Sequence, residues 1–227
     1  MGWHLEAKKQ WDSSAQKWAE QSQNMWENGS RQEIIPFIMK HIPKSATFCD
    51  LGCGDGYGTF KLYKNGYQPT GLDISETMIE IARKNTTHSS ISFVQGDISC
   101  LPFEKQQFQA AMVINSLEWT ENPLIALKEI ERILIPGGFA CIGILGPTAT
   151  PRKVNSFPRL YGETVIMNSM LPWEFERLAL ENGWALVDER WIKKEKTSHF
   201  ALTNLPKELQ QALSFMWLFM FKTPEKK

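Results

Sequence analysis

Residues 48–58 read FCDLGCGDGYG, a β-like run that leads into a glycine-rich turn and then into a helical pattern. Gly52, Gly54 and Gly56 let the backbone turn sharply and approach a ligand closely. The helix that follows presents free N–H groups at its first turn. This combination predicts a ligand site on the first strand-to-helix turn of an α/β sheet.

Short β-like runs and helical segments alternate around this turn, a pattern typical of a parallel sheet covered by helices. Strands are predicted at 47–51, 68–73, 91–95, 108–115 and 138–145, and helices at 58–65, 76–85 and 123–135. A helical region at 6–42 precedes this core, and a helix at 172–182 and strands at 184–192 and 215–222 follow it. The last two strands are expected to pair antiparallel at the sheet edge, with the apolar run 212–221 as an inserted, buried strand.

The length of 227 residues suits one domain with an elaboration. We predict a single domain over 1–227, with a helical N-terminal cap at 1–45, a ligand-binding core at 46–146, a lid or insertion at 147–170 and the C-terminal part of the sheet at 171–227. Residues 1–10 contain no apolar leader, and no apolar run is long enough to span a membrane. The chain is therefore expected to be cytoplasmic.

The charge balance restricts the partners. The sequence has 25 Lys and Arg against 25 Asp and Glu, so its formal net charge is zero. Without a net positive charge there is no long-range attraction to phosphate, which disfavours nucleic acid and an anionic membrane. Four cysteines show no paired metal spacing, so free thiols and no metal are expected: Cys49, Cys53, Cys100 and Cys141.

Acidic residues around the glycine turn restrict the class of ligand that can bind there. A dinucleotide-binding turn requires a glycine at position 57, where Tyr57 stands. Asp50, just before the turn, would repel a pyrophosphate and favour a cationic ligand. Asp73 follows Gly54 by 19 residues, at the end of the second predicted strand, where a carboxylate can hold a ribose diol by two hydrogen bonds. Together these signals predict an adenosine-bearing ligand without a diphosphate.

At this point the sequence resembles the class I S-adenosylmethionine-dependent methyltransferases, and within them the small-molecule branch of the ubiquinone and menaquinone type. Four segments in register carry the resemblance: CDLGCGDGYGT (49–59), GLDISETMIEIARK (71–84), ISFVQGDISCLPF (91–103) and FQAAMVINSLEWTENPLIALKEIERILIPGGF (108–139). The resemblance implies a doubly wound, Rossmann-like sheet of seven strands, mostly parallel, with one antiparallel strand inserted near the edge and an N-terminal helical lid. It also implies S-adenosylmethionine as cofactor, S-adenosylhomocysteine as product, no metal, and a small molecule as acceptor.

The resemblance further implies roles for residues at the methionine end of the cofactor. The loop Gly52, Cys53 and Gly54 would lie against the methionine part, with Asp50 near its ammonium group. Two residues after the fourth strand, Asn115 and Ser116, would line the floor beneath that part. The glycines could instead serve only a tight turn, and Asn115 could be a simple strand-end turn residue.

Other residues would hold the adenosine end. Asp73 would accept from the ribose hydroxyls, and Ile74 would lie against the adenine ring, with Met78 nearby. Asp97 would accept from adenine N6, and the backbone of Ile98 would face N1. A turn role for Asp97 and plain core packing for Met78 are the competing interpretations.

The N-terminal region is rich in tryptophan. Trp3, Trp11, Trp18 and Trp26 are spaced by eight, seven and eight residues, which keeps them along one side of a helix. This stripe could simply attach the helix to the sheet, or Trp11 and Trp18 could close over cofactor and substrate, where an aromatic face suits a sulfonium cation. Arg31 matches an arginine that pairs with the cofactor carboxylate in some relatives, and a solvated helix charge is the alternative.

The acceptor chemistry depends on a general base only if the acceptor is a hydroxyl or a protonated amine. Glu118 is the candidate base, because relatives often carry His there, and His199 is a weaker one. An RNA or protein methyltransferase and a non-catalytic S-adenosylmethionine-binding module remain as alternative functions. The lid segment 147–170 carries cations that could meet an anionic metabolite or could simply be solvated.

Overall fold

The computed structural model describes residues 2–193 and 204–225. One sheet of seven strands runs through it in the order β3-β2-β1-β4-β5-β7-β6. The strands are β1 Thr47–Leu51, β2 Gln68–Asp73, β3 Ser92–Gln95, β4 Phe108–Ile114, β5 Leu134–Leu145, β6 Ala185–Lys193 and β7 Ser214–Lys222. Strands β1 to β5 pair in parallel, whereas β7 pairs antiparallel with both β5 and β6. The α/β sheet with one inserted antiparallel strand is therefore confirmed.

Eight helices surround the sheet in the described residues. They are α1 Trp3–Glu27, α2 Ile34–His41, α3 Tyr57–Lys64, α4 Glu76–Asn85, α5 Pro123–Ile133, α6 Thr150–Ser156, α7 Pro172–Glu181 and α8 Lys207–Leu213, with 3-10 turns at Leu117–Trp119 and Phe157–Tyr161. Two helices begin at side-chain caps. Ser75 Oγ accepts from Met78 N at 3.1 Å, and Asn122 Oδ1 accepts from Leu124 N at 3.0 Å.

The sheet is buried on both faces because its side chains alternate. Phe48 and Met112 belong to the apolar cluster that packs with α2. Leu51 and Val113 belong to the cluster on the other face, which packs with α5 and α7. In residues 2–193 and 204–225, no helix combines the length and apolar character that a membrane crossing requires.

Several element boundaries differ from those predicted. The region 6–42 forms two helices separated by a turn, and the short helices α6 and α8 were not predicted. Strand β5 begins at Leu134 rather than at 138, because Leu134 pairs with Phe108 and Phe139 pairs with Ala110. The Pro-Gly-Gly segment therefore forms a bulge inside the strand, where Gly137 has a φ of +69°. A bulge interrupts the local pattern without ending the pairing, so the sequence alone predicted a strand that begins only at 138.

Candidate functional site

A cavity lies at the carboxyl ends of β1, β2 and β4. Strand β1 is the point at which the strand order reverses, and ligands of open α/β sheets bind at such a point. The cavity lining is Ala7, Trp11, Trp18, Arg31, Gly52, Gly54, Asp73, Ile74, Met78, Gly96, Asp97, Ile98, Ile114, Asn115, Ser116, Trp119 and Thr120.

The glycine loop after β1 is tied to the end of β2. Gly52 N and Cys53 N both donate to Leu72 O, at 2.7 and 2.9 Å. Gly52 has a φ of +75°, and a Cβ placed there would overlap the side chain of Ser116. Any other residue at position 52 would therefore strain the backbone and also clash with Ser116.

Asp73 sits where the loop meets the cavity. Its Oδ2 accepts from Gly54 N at 2.8 Å, and its Oδ1 accepts from Ser75 N at 2.9 Å. These two bonds hold the carboxylate in one orientation, and each oxygen keeps capacity to accept from a ligand hydroxyl. Burial raises the pKa of Asp73 to about 6, although both backbone bonds favour the ionised form.

A buried group of charges lies beside the loop. Burial lowers the pKa of Arg31 to about 10 and raises that of Asp50 to about 7. Thr59 Oγ1 donates to Asp50 at 2.6 Å, and Ser22 Oγ of α1 donates to Asp55 at 2.7 Å. Among the described residues, no carboxylate lies within the 4.0 Å ion-pair distance of Arg31, although both acids favour its charged form. Arg31 lines the cavity, whereas Asp50 lies behind the loop.

Sequence reasoning missed Asp55, which stands one residue after Gly54 and has a raised pKa because it is buried. Its position within the glycine loop was a usable signal. What the pattern could not reveal is that α1 would cover it and supply Ser22 as its donor.

The four N-terminal tryptophans have different surroundings. Trp11 and Trp18 stack edge to face at 5.5 Å between ring centroids, and Trp11 meets Trp119 at 4.9 Å. All three line the cavity, and Trp18 Nε1 lies 3.1 Å from the point that a Cβ on Gly54 would occupy. Trp26 is instead buried in the core, so one helical stripe serves both as a lid and as an attachment.

The tryptophan lid is fixed at both ends. The indole N–H of Trp3 donates to Trp119 O at 2.7 Å, which joins the start of α1 to the turn after β4. Toward the other end of α1, the guanidinium of Arg31 lies over the ring of Trp18 at 4.7 Å from its centroid. Trp119, which the sequence analysis did not single out, completes the aromatic wall.

The residues predicted to hold the adenosine end lie together in the structure. Ile74, Met78, Asp97 and Ile98 all line the cavity. Asp97 Oδ1 accepts from Ser99 N at 2.8 Å, so the carboxylate also has the turn role that competed with ligand binding. Met78 is buried and contributes to the wall, which makes core packing and ligand contact compatible for this residue.

The floor of the cavity is formed where β4 ends. Asn115 has a φ of +55°, which few residues other than glycine adopt, and this stops the strand one residue before its predicted end. Among the residues that the structure describes, nothing donates to the buried Oδ1 of Asn115. Ser116 Oγ donates to Ile114 O at 3.2 Å. An unpartnered buried amide oxygen on a cavity wall is suited to a ligand donor.

Two further predicted site residues face away from the cavity. Glu118 is fully buried, its Oε1 accepts from Leu145 N at 2.7 Å, and burial raises its pKa. Cys53 contributes its backbone to the loop, while its side chain packs with Ile79 and Phe93. Neither side chain is part of the cavity lining, and the weaker base candidate, His199, lies outside the described residues.

Known proteins match the core of this chain. Residues 49–142 match the model of the methyltransferase domain family. The biotin biosynthesis bifunctional protein BioHC of Teredinibacter turnerae is 33% identical over 148 residues, which cover 60% of this chain and 26% of that protein. Demethylmenaquinone methyltransferase of Lactococcus lactis subsp. lactis is 42% identical over 106 residues, 44% of this chain and 42% of that protein. The chain thus spans less than half the length of these two curated relatives.

A solved structure matches nearly the whole chain. It is the methyltransferase in a complex with the Haloferax volcanii Trm112 methyltransferase activator, with a TM-score of 0.74 and 21% sequence identity. The match covers 97% of this chain and 99% of that chain. At this identity the likeness establishes the fold, for the flanking helices and the last two strands as well as for residues 49–142.

Proposed function

We propose that this chain, which carries a methyltransferase domain and has the class I methyltransferase fold, transfers a methyl group from S-adenosylmethionine to a small-molecule acceptor in the cytoplasm. One observation carries the proposal: the buried Asp73 carboxylate is held by Gly54 N and Ser75 N on the wall of the cavity that the glycine loop borders. A carboxylate fixed in this way is suited to a ribose diol. The match of residues 49–142 to the methyltransferase domain family and the likeness to demethylmenaquinone methyltransferase support the same conclusion.

The residues present fit this cofactor. Gly54 and Gly52 put backbone on the cavity wall, and the absence of a Cβ at Gly54 lets the Trp18 indole approach the loop, since such a Cβ would lie 3.1 Å from Trp18 Nε1. The buried Oδ1 of Asn115 can accept a hydrogen bond from the ammonium group of the methionine part. Arg31 is a buried cation on the cavity wall. In the described part of the chain no carboxylate lies within ion-pair distance of it, so a ligand carboxylate could form the ion pair.

The adenosine end would be held by residues after β2 and β3. We assign the ribose hydroxyls to Asp73, one face of the adenine ring to Ile74 and Met78, and the adenine N6 and N1 edge to Asp97 and the backbone of Ile98. Apolar walls with a few fixed polar groups are the usual composition of a small-ligand site.

Bound S-adenosylmethionine supplies an electrophilic methyl group on a sulfonium ion. The protein's part is to align the acceptor in line with that methyl group and to exclude water. Trp11, Trp18 and Trp119 close the cavity, and their faces suit a cationic sulfur. Glu118 fits a positioning role better than that of a general base, because its carboxylate holds the end of β5 through Leu145 N.

The test is titration calorimetry with S-adenosylmethionine, followed by incubation of the whole chain with a metabolite panel and cofactor carrying a deuterated methyl group. We expect binding in the micromolar range and one product heavier by the labelled methyl group. Absence of binding would overturn the proposal. Binding without any product would favour a non-catalytic binding module, and labelled RNA or protein in a parallel incubation would favour the macromolecular alternatives.

The raised pKa of Asp73 predicts a pH dependence. The ionised carboxylate is the form that accepts two ribose hydroxyl bonds, so affinity should be constant well above the pKa of about 6 and should fall as the pH drops through it. Adenosine is the suitable probe, because it has the ribose but lacks the methionine part that we assign to Arg31 and Asn115. We expect its affinity to decrease about tenfold per pH unit below the transition. An adenosine affinity that does not change between pH 8 and pH 5 would contradict the role of Asp73.

A further inference from the structure

The carboxylate of Asp12 attaches the lid helix α1 to the start of α4, beside the cavity. Its Oδ1 accepts from Ser75 Oγ at 2.6 Å and from Thr77 N at 3.2 Å, and both donors belong to the first turn of α4. Its Oδ2 accepts from Lys8 Nζ at 2.7 Å, one turn earlier in α1. Asp12 therefore acts as a second cap of α4, supplied by another helix, where an anion is favoured by the helix dipole.

Ser75 connects this attachment to the cavity. Its N–H donates to Asp73 Oδ1 at 2.9 Å, while its Oγ accepts from Met78 N and donates to Asp12. A continuous series of hydrogen bonds thus runs from the lid, through Ser75, to the carboxylate that we assign to the ribose. Asp12 does not line the cavity, so it has no direct access to the ligand.

The charges around Asp12 fit this arrangement. Burial acts to raise the pKa of Asp12, but the bonds from Lys8, Ser75 and Thr77 outweigh it, and the net shift is downward. The negative charge of Asp12 in turn raises the pKa of Asp73. Lys8 also lies 3.6 Å from Glu76, so one lysine faces the acids of both helices at this contact.

We propose that Asp12 is a positioning residue that latches α1 onto the first turn of α4, so that closure of the tryptophan lid is coupled to the fixing of the ribose-binding carboxylate. The proposal rests on the proposed function for the identity of the ligand, although the latch itself is a contact of the ligand-free chain. Trp11 precedes Asp12 directly, and holding Asp12 therefore holds the indole that closes the cavity.

The test compares Asp12→Ala with Glu20→Ala, which removes the same charge from an exposed position of α1. Release of S-adenosylhomocysteine is followed by stopped-flow tryptophan fluorescence. Loss of two hydrogen bonds that close the lid should speed release by Asp12→Ala about tenfold. Glu20→Ala should change release by less than about twofold. The association rate should not fall, because the latch opposes entry as well as exit.

Conservative variants separate latching from folding. Asp12→Asn keeps an oxygen that can accept from Ser75 and Thr77, so it should restore release to within about threefold of the unmodified chain. Glycine is tolerated at a helix N-cap, so Ser75→Gly should preserve α4 while it removes the hydroxyl that donates to Asp12. Release should again become faster. If Asp12→Ala does not fold, Ser75→Gly serves as the test of the latch.

Hydrogen exchange of the ligand-free chain supplies the readout that does not depend on the ligand. Asp12→Ala should increase exchange in α1 while that of β1, β4 and β5 stays unchanged. Unchanged exchange in α1 together with unchanged release would overturn the latch. If the chain binds no S-adenosylhomocysteine but α1 exchange still rises, the latch stands and the proposed ligand is wrong.

Discussion

Asp73→Asn is expected to weaken S-adenosylmethionine binding about a hundredfold, the largest functional effect of any single substitution that we predict. The variant loses the two charge-assisted bonds that we assign to the ribose. It also disturbs the carboxylate's own supports, since both Gly54 N and Ser75 N donate to Asp73 and an amide has only one oxygen to accept them. Titration calorimetry measures the change directly.

Stability should respond far less than affinity. Burial of the ionised Asp73 carboxylate is itself unfavourable, as its pKa of about 6 shows, so its removal offsets part of the lost backbone bonds. The melting temperature is expected to shift by no more than about 4 °C. The matched control is Glu80→Gln, an exposed acid on α4, which should leave affinity unchanged. Equal affinities of Asp73→Asn and Glu80→Gln would remove Asp73 from the site.

Gly52→Ala is expected to lower the free energy of unfolding by about 3 kcal/mol, from backbone strain and overpacking together. The strain arises because Gly52 has a φ of +75°, and the overpacking arises because the new Cβ meets Ser116. This loss corresponds to a fall in melting temperature of about 6 to 12 °C. Displacement of Ser116 into the cavity should also weaken cofactor binding at least about tenfold.

Two variants separate the contributions at Gly52. Gly162 has a φ of +80° with no atom within 4 Å of its added Cβ, so Gly162→Ala isolates the strain and should cost about 1 to 2 kcal/mol. Adding Ser116→Gly to Gly52→Ala removes the overlapping atoms and should recover the remainder, with Ser116→Gly alone as reference. A loss in Gly52→Ala no greater than that in Gly162→Ala would mean that the contact with Ser116 imposes no constraint.

The fold could be predicted well where each signal is local. The strand limits 47–51 and 68–73 agree with β1 and β2, because each strand ends at a local signal: the glycine turn after Leu51 and the Ser75 cap of α4 just after Asp73. The caps at Ser75 and Asn122 are confirmed for the same reason, since a cap is a contact within three residues. The boundaries that differ, at β5 and in the N-terminal helices, depend on pairing with distant segments.

The candidate site was predictable in outline. The glycine loop and the acid after β2 are recognisable because their roles follow from backbone geometry and strand ends. Glu118 illustrates the limit: Ser116 and Trp119 line the cavity, whereas Glu118 between them faces the end of β5. The direction of Glu118 is fixed by its hydrogen bond from Leu145 N, which is 27 positions away, and no local pattern encodes it.

The sequence by itself determined the class of fold, the position of the ligand turn and the chemistry of its acids, because these depend on neighbours along the chain. Only the tertiary structure decided which tryptophans line the cavity and which one is buried in the core. It also decided that Asp12 contacts Ser75 and that the charge of Asp55 acts on Arg31. Asp12 and Ser75 are 63 positions apart in the chain, so no local pattern relates them. These arrangements depend on how α1 and the turn after it pack against the sheet, a property of packing rather than of sequence spacing.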